Sequence, residues 1–240
     1  MKIAVLGGSF NPVHKGHLLL ADSVCTQLGY DKLLFIPVSA PPHKIIKNAA
    51  SSFDRLKMLQ LACEDDFRFA VDSCEIDRGG ISYTWDTVCF LEHKYAEQLS
   101  AKIGLIVGQD LAAEFSKWKN AALLAEKTDL ILAHRPFEKP CSAEGNKPDS
   151  NFKGLFATEK MLSEFPYPHL VLNNAMIAVS STEIREKIRK GEDLTGLVPE
   201  KVYCYIRERK LYGSENQIYI RVKGVDWGFR IDIGTQRYME

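Results

Sequence analysis

Apolar residues recur along this chain in two alternating periods. Short runs rich in β-branched and aromatic residues, "KIAVL", "KLLFIP", "FRFAVD", "KIGLIVG" and "DLILAHR", have the length and composition of strands. Between them the apolar positions return every three or four residues. Leu18, Ala21, Val24, Cys25 and Leu28 form one stripe, Leu56, Leu59, Leu61 and Ala62 a second, and Val88, Leu91, Tyr95 and Leu99 a third. The strand runs are apolar nearly throughout, which suits strands covered on both sides, and their alternation with helices predicts an open parallel sheet. Ligands of such sheets bind beyond the carboxyl ends of the strands, so the residues just after each strand are the ones to examine for chemistry.

Further along, residues 136–168 lose the periodicity and gather Pro, Lys, Glu, Asn and Ser, with "KPCSAEGNKPDSN" at their centre. An exposed insertion is expected there. "HLVLN" predicts a last strand, followed by helices over residues 181–190 and 200–212. After Gly213, "IYIRVKGVDWGFRIDIG" alternates apolar and polar residues about a glycine, a hairpin signature. The expected organisation is one α/β domain over residues 1–213, a Rossmann-like open parallel sheet with helices on both faces and a C-terminal helical segment. Residues 214–240 form a β-hairpin extension whose apolar side raises a homo-oligomer.

Charge and cysteine content narrow the classes. Lys and Arg total 31, Asp and Glu 31, so the net charge is zero and no basic field points to nucleic acid or a membrane. No apolar run approaches the ~20 residues needed to cross a bilayer, and "MKIAVLGG" lacks the features of a secretion signal. Six scattered cysteines without a C-x-x-C pair suggest reduced, mostly buried thiols in a cytoplasmic protein.

Two segments carry candidate chemistry. In "VLGGSFNPVHKGH", Gly7 and Gly8 follow the first strand and permit close approach of backbone to a phosphate. The spacing is neither G-x-G-x-x-G nor that of a Walker loop. His14 and His17, with Gly16 between them, stand where the next helix begins, and imidazoles there can donate to phosphate oxygens. The structural alternative is a tight turn with one histidine as a cap; no third ligand at a fixed spacing supports a metal site. In "VSSTEIREKIRKG", Ser180 and Glu183 fit a capping box. That accounts for neither Thr182 nor Arg185. With Ile184 and Ile188 facing the core, Arg185 is expected on the helix flank, completing a polyphosphate seat.

Together these segments resemble the H-x-G-H and I-S-S-T-x-I-R nucleotidyltransferases. "PVSAPPHK", "SYTWDT", "IVGQD", "FSKWKNAALL" and "LVPEKVYCYIRERKLY" extend the resemblance to bacterial nicotinate-nucleotide adenylyltransferases over roughly residues 1–213. The resemblance implies ATP and nicotinate mononucleotide as substrates, with Mg²⁺ carried on the triphosphate. It implies His14 and His17 as catalytic, and Gly8, Ser9, Phe10, Lys44, Ser180, Thr182 and Arg185 at ATP. On the acceptor side it implies His43, Thr84, Trp85, Asp110, Trp118 and Arg135. Asn11 and Ser9 replace the Asp and Thr of many members, a change expected to cost little. Open alternatives are a relative using pantetheine phosphate or nicotinamide mononucleotide, and a nucleotide sensor without turnover; a purely structural module is the remaining one.

Overall fold

The computed structural model describes residues 1–39, 50–133, 165–173, 179–216, 218–222 and 225–229. Strands β1 (Ile3–Gly8), β2 (Lys32–Pro37), β3 (Phe69–Val71), β4 (Gly104–Gly108), β5 (Asp129–Ala133) and β6 (His169–Leu172) form one sheet in the order β3-β2-β1-β4-β5-β6. Every pairing is parallel. The described helices are α1 (Lys15–Leu28), α2 (Ser52–Cys63), α3 (Cys74–Arg78), α4 (Thr84–Lys94), α5 (Gln109–Ala112), α6 (Ala121–Lys127), α7 (Ser181–Lys190) and α8 (Glu200–Glu208).

Alternation along each strand divides the core. Ala4, Leu6, Leu33, Phe35, Ile131 and Ala133 meet Ala21 and Val24 of α1, Met58 and Leu59 of α2, Ile184 and Ile188 of α7, and Val202 and Ile206 of α8. The intervening residues turn to the other face. There Leu105, Val107, Leu130 and Leu132 pack with Val88 of α4 and Leu124 of α6, and Ile3, Val5, Leu34 and Ile36 with Cys74 and Leu91. Both faces are covered, which explains the near-continuous apolar runs. The chain builds outward from β1 through β2 to β3, then returns past β1 to lay down β4, β5 and β6. That reversal opens a crevice beyond the carboxyl ends of β1 and β4.

The structure corrects several expectations. The buried side of α2 is Asp54, Arg55, Met58, Leu59 and Cys63, whereas Leu56 and Leu61 are only half-buried. The last helix ends at Glu208 rather than residue 212, because Lys210 and Tyr212 take φ of 53° and 60°, outside the helical region. Residues 136–164 of the expected insertion lie outside the described residues. Its last residues belong to the core: the rings of Phe165 and Tyr167 lie 5.5 and 5.2 Å from that of Phe115. The hairpin is present as a separate two-stranded sheet, β7 (Ile218–Val222) against β8 (Val225–Phe229). Its register pairs Ile218 with Phe229, Ile220 with Trp227 and Val222 with Val225. Burial pushes the Cys25 thiol up to about 11 and those of Cys63 and Cys74 to about 12, so these cysteines pack as neutral groups. No helix among the described residues is long and apolar enough to cross a membrane.

Candidate active site

At the crevice β1 ends in Gly7 and Gly8. A Cβ on Gly8 would lie 3.0 Å from the Phe10 ring, so glycine lets that ring fold back against the strand end. Phe10 is 1% exposed and its ring packs edge-on against His17 and Phe35, at 5.0 and 5.7 Å. Its side chain is therefore core, and only its backbone is left for a ligand. Four of the turn's carbonyls are held. The Gly8 carbonyl accepts from the Val38 amide at 3.0 Å, that of Ser9 from Arg55 Nη1 at 2.9 Å, and that of Asn11 from Arg185 Nη1 at 2.7 Å. The Pro12 carbonyl accepts from Ser181 Oγ at 2.9 Å. Asn11 Oδ1 accepts twice, from the Ala50 amide at 3.1 Å and the Tyr212 hydroxyl at 2.7 Å. Across a trans peptide the carbonyl and the next N–H point opposite ways. The amides of Ser9, Phe10 and Val13 thus face away from the groups that hold the turn, and none makes a backbone hydrogen bond to a described residue.

The two histidines act as a unit. His14 is the N-cap of α1, and its amide donates to His17 Nδ1 at 3.2 Å. The rings stack with centroids 3.7 Å apart. Because Nδ1 accepts, the neutral His17 ring carries its proton on Nε2, an assignment made from this hydrogen bond. Capping and phosphate contact are compatible: one ring nitrogen orders the helix start while the other carries the proton of the neutral ring. Gly16 has its own reason. A Cβ there would sit 3.0 Å from His14 Nδ1 and 3.2 Å from Val179 Cγ1, so its absence lets the first residue of the second motif close onto the first motif.

At the start of α7, Ser180 Oγ accepts from the Glu183 amide at 3.2 Å, the expected cap. Thr182 Oγ1 accepts from Arg185 Nη2 at 3.1 Å. Arg185 is not on the flank: it is 8% exposed and points inward to the Asn11 carbonyl, with Nε unpartnered. Arg55, which the sequence reading passed over, is 5% exposed and joins the Ser9 carbonyl to that of Ser39. Burial pulls both guanidiniums below the ordinary arginine value, and neither pairs with a carboxylate among the described residues. The neighbouring Asp54 is committed elsewhere, to Ser51, Tyr205 and Arg209. Burying a cation without a counter-charge is costly, and a polyanion at this turn would supply the missing charge.

A profile of the cytidylyltransferase-like family matches residues 5–187. A Treponema pallidum protein named a probable nicotinate-nucleotide adenylyltransferase is 39% identical over 89% of this chain and all of its own length. A Clostridium tetani protein of the same name is 35% identical over 88% of this chain and 98% of its own. The chain belongs to the cytidylyltransferase-like family, among its nicotinate-nucleotide adenylyltransferases. In fold it is similar to a Plasmodium falciparum nicotinic acid mononucleotide adenylyltransferase solved in complex with NaAD. The TM-score is 0.63, with 17% identity over 88% of this chain and 97% of that one.

Of the residues expected on the acceptor side, Trp85 and Trp118 pack on the opposite sheet face. Thr84 and Trp85 open α4 behind Tyr83, an extended N-cap whose side chain makes no capping bond. The Asp86 and Thr87 amides return to the Tyr83 carbonyl at 3.0 and 3.2 Å, whereas those of Thr84 and Trp85 make no backbone hydrogen bond to a described residue. Trp85 and Trp118 are both half-buried against the α4–α6 core, Trp118 with its ring 5.0 Å from Phe115, so part of each serves packing. Glu75, a second residue absent from the sequence reading, is 7% exposed and accepts from Thr87 Oγ1 at 2.7 Å. Burial raises its carboxyl above the usual range, with the Thr87 bond and the Arg78 charge opposing. Asp110 is placed by its backbone alone, in α5 at the end of β4. His43, Lys44 and Arg135 lie outside the described residues.

Proposed function

We propose that this chain transfers the adenylyl group of ATP to nicotinate mononucleotide, giving nicotinate adenine dinucleotide and pyrophosphate. A phosphate oxygen of the mononucleotide bonds to the α-phosphorus of ATP, and the bond from that phosphorus to the bridging oxygen of the β-phosphate breaks. The attacking monoester has a second pKa of about 6 and is already mostly a dianion at neutral pH, so no general base is needed. What remains is to bring two anions together and to stabilise charge at the phosphorus, a task for positioning and fixed dipoles. Mg²⁺ enters on the triphosphate as part of the substrate.

The observation that carries this reading is the turn after β1, its carbonyls held from behind and its Ser9, Phe10 and Val13 amides unspent, beside the stacked His14 and His17. In this scheme His14, His17 and the backbone of Gly8, Ser9 and Phe10 meet the α-phosphate. Lys44, Ser180, Thr182 and Arg185 hold the departing β- and γ-phosphates. Thr84 and Trp85 donate amides to the pyridine carboxylate and Trp118 flanks the ring, with His43, Asp110 and Arg135 completing the acceptor side. An amide in place of the carboxylate would set its NH₂ against those donors, at about 1–3 kcal/mol for each one left unpaired. Two such mismatches give a preference of ~10²-fold or more in kcat/KM for the acid. Pyrophosphate release from MgATP, measured with nicotinate mononucleotide, nicotinamide mononucleotide and pantetheine phosphate in turn, tests this. Equal rates with the acid and the amide would remove the donor-only pocket, and turnover with pantetheine phosphate alone would remove the reading.

A further inference from the structure

Two residues behind the turn are assigned no contact with substrate themselves, yet they hold the backbone and side chain of the turn that is assigned such contact. Arg55 reaches from the buried side of α2 and spans the chain leaving β1, at Ser9, and the chain leaving β2, at Ser39, with one Nη on each carbonyl at 2.9 Å. Tyr212 comes from the far end of the chain, is 4% exposed, and donates to Asn11 Oδ1 at 2.7 Å. Its backbone holds φ at 60°, a conformation that aromatic residues rarely adopt, so the local chain is bent to deliver this side chain. The Ser9 carbonyl and the Phe10 amide belong to one peptide plane. A guanidinium on that carbonyl both fixes the plane and polarises the amide at its other end.

We propose that Arg55 and Tyr212 are positioning residues for adenylyl transfer, which hold the turn from behind so that the Ser9 and Phe10 amides face the nucleotide phosphates. The proposal rests on the adenylyl-transfer reading above. Its test measures kcat and KM for both substrates, with melting temperature, in Tyr212→Phe, Arg55→Lys and Arg55→Met. The phenylalanine keeps the buried ring and removes only the hydroxyl; the lysine keeps the charge without the two-pronged reach.

A displacement of about 1 Å costs on the order of 10²-fold in rate, so kcat/KM for MgATP is expected to fall ~10²-fold in Arg55→Met and ~10-fold in Tyr212→Phe, with partial recovery in Arg55→Lys. The KM for the mononucleotide should stay within about threefold, since Trp85 and Trp118 of its candidate residues pack on the other sheet face. Folded Tyr212→Phe and Arg55→Lys enzymes with wild-type kcat/KM for MgATP overturn the proposal, as does a change confined to melting temperature. These two variants decide alone if Arg55→Met does not fold. If the wild type releases no pyrophosphate with nicotinate mononucleotide, the adenylyl-transfer reading fails by itself. The positioning role is then decided by the Kd for MgATP from calorimetry: tenfold weaker binding in Tyr212→Phe supports it, and equal binding overturns it.

Discussion

Gly16→Ala adds a single methyl group where the two phosphate-facing segments meet. The new Cβ would stand 3.0 Å from His14 Nδ1, 3.1 Å from His14 Cε1 and 3.2 Å from Val179 Cγ1, all inside the 3.4 Å at which ordinary contact begins. The neighbours must therefore retreat by a few tenths of an ångström. Within a helix alanine is favoured over glycine by up to about 1 kcal/mol, and overpacking works against it by about 1–3 kcal/mol. The net loss is about 0–2 kcal/mol, which for a domain of this size lowers the melting temperature by at most roughly 8 °C. The enzyme stays folded. Activity should respond more strongly, because the retreat falls on the His14 ring, stacked on His17, and on the residue preceding the Ser180 cap. A loss of ~10–10²-fold in kcat is expected, consistent with the steep dependence of phosphoryl chemistry on placement. The assay is pyrophosphate release at saturating MgATP and acceptor, with a melting curve on the same sample. A folded variant with wild-type kcat would refute the idea that the close approach of His14 and Val179 to Gly16 sets the geometry of the site.

His17→Ala should lower kcat by ~10²–10³, the scale for losing one preorganised donor, with a much smaller change in MgATP affinity; single-turnover kinetics separate the two. Glu75→Gln should alter the pH dependence of stability. Because the folded-state pKa of Glu75 is raised, the native protein holds that proton more tightly than the unfolded chain, and its contribution falls as pH rises from about 4.3 through the folded value. The Gln variant should therefore melt higher than wild type at pH 8, with the difference shrinking toward pH 4; a gap constant with pH would contradict this. Gly104→Ala would drive a Cβ to 2.6 Å from the buried Tyr30 ring and should cost about 3 kcal/mol or more in denaturant unfolding, while turnover per folded molecule is unchanged.

The sheet was legible because its signal is local and redundant: strands buried on two faces have few polar positions, and β1, β2, β4 and β5 repeat the message. His14, His17 and Ser180 were legible for a related reason, since helix starts need capping and a cap leaves its mark within three or four residues. Arg55 was passed over because an arginine in an amphipathic helix usually faces water. Its phase was nevertheless visible, three and four residues before the buried Met58 and Leu59. The Arg185 flank assignment failed in the same way: next to Ile184, its reach toward Asn11 depends on a segment over 170 residues away. Tyr212 and Glu75 gave no local sign, because their partners, Asn11 and Thr87, are chosen by the folded topology. Phe10 followed from its neighbours only as a cleft residue, whereas the positive φ that turns its ring inward is a property of the completed turn.

Asn11 and Tyr212 lie 201 positions apart, and the first amide of α1, at Lys15, donates to the carbonyl of Leu197. Contacts of such separation form late, after local helices and the pairing of β1 with β2. At a synthesis rate of ~5–20 residues per second, the nucleotide turn leaves the ribosome roughly 10–40 s before the tyrosine that completes its hydrogen bonding. A chain halted or clipped in that interval already holds most of the residues of its sheet while its phosphate-facing turn still lacks a hydrogen bond. Full turnover is thus expected to await residue 212, beyond the end of α8, rather than the first motif, and in a growing cell it would report on translation carried through to that point.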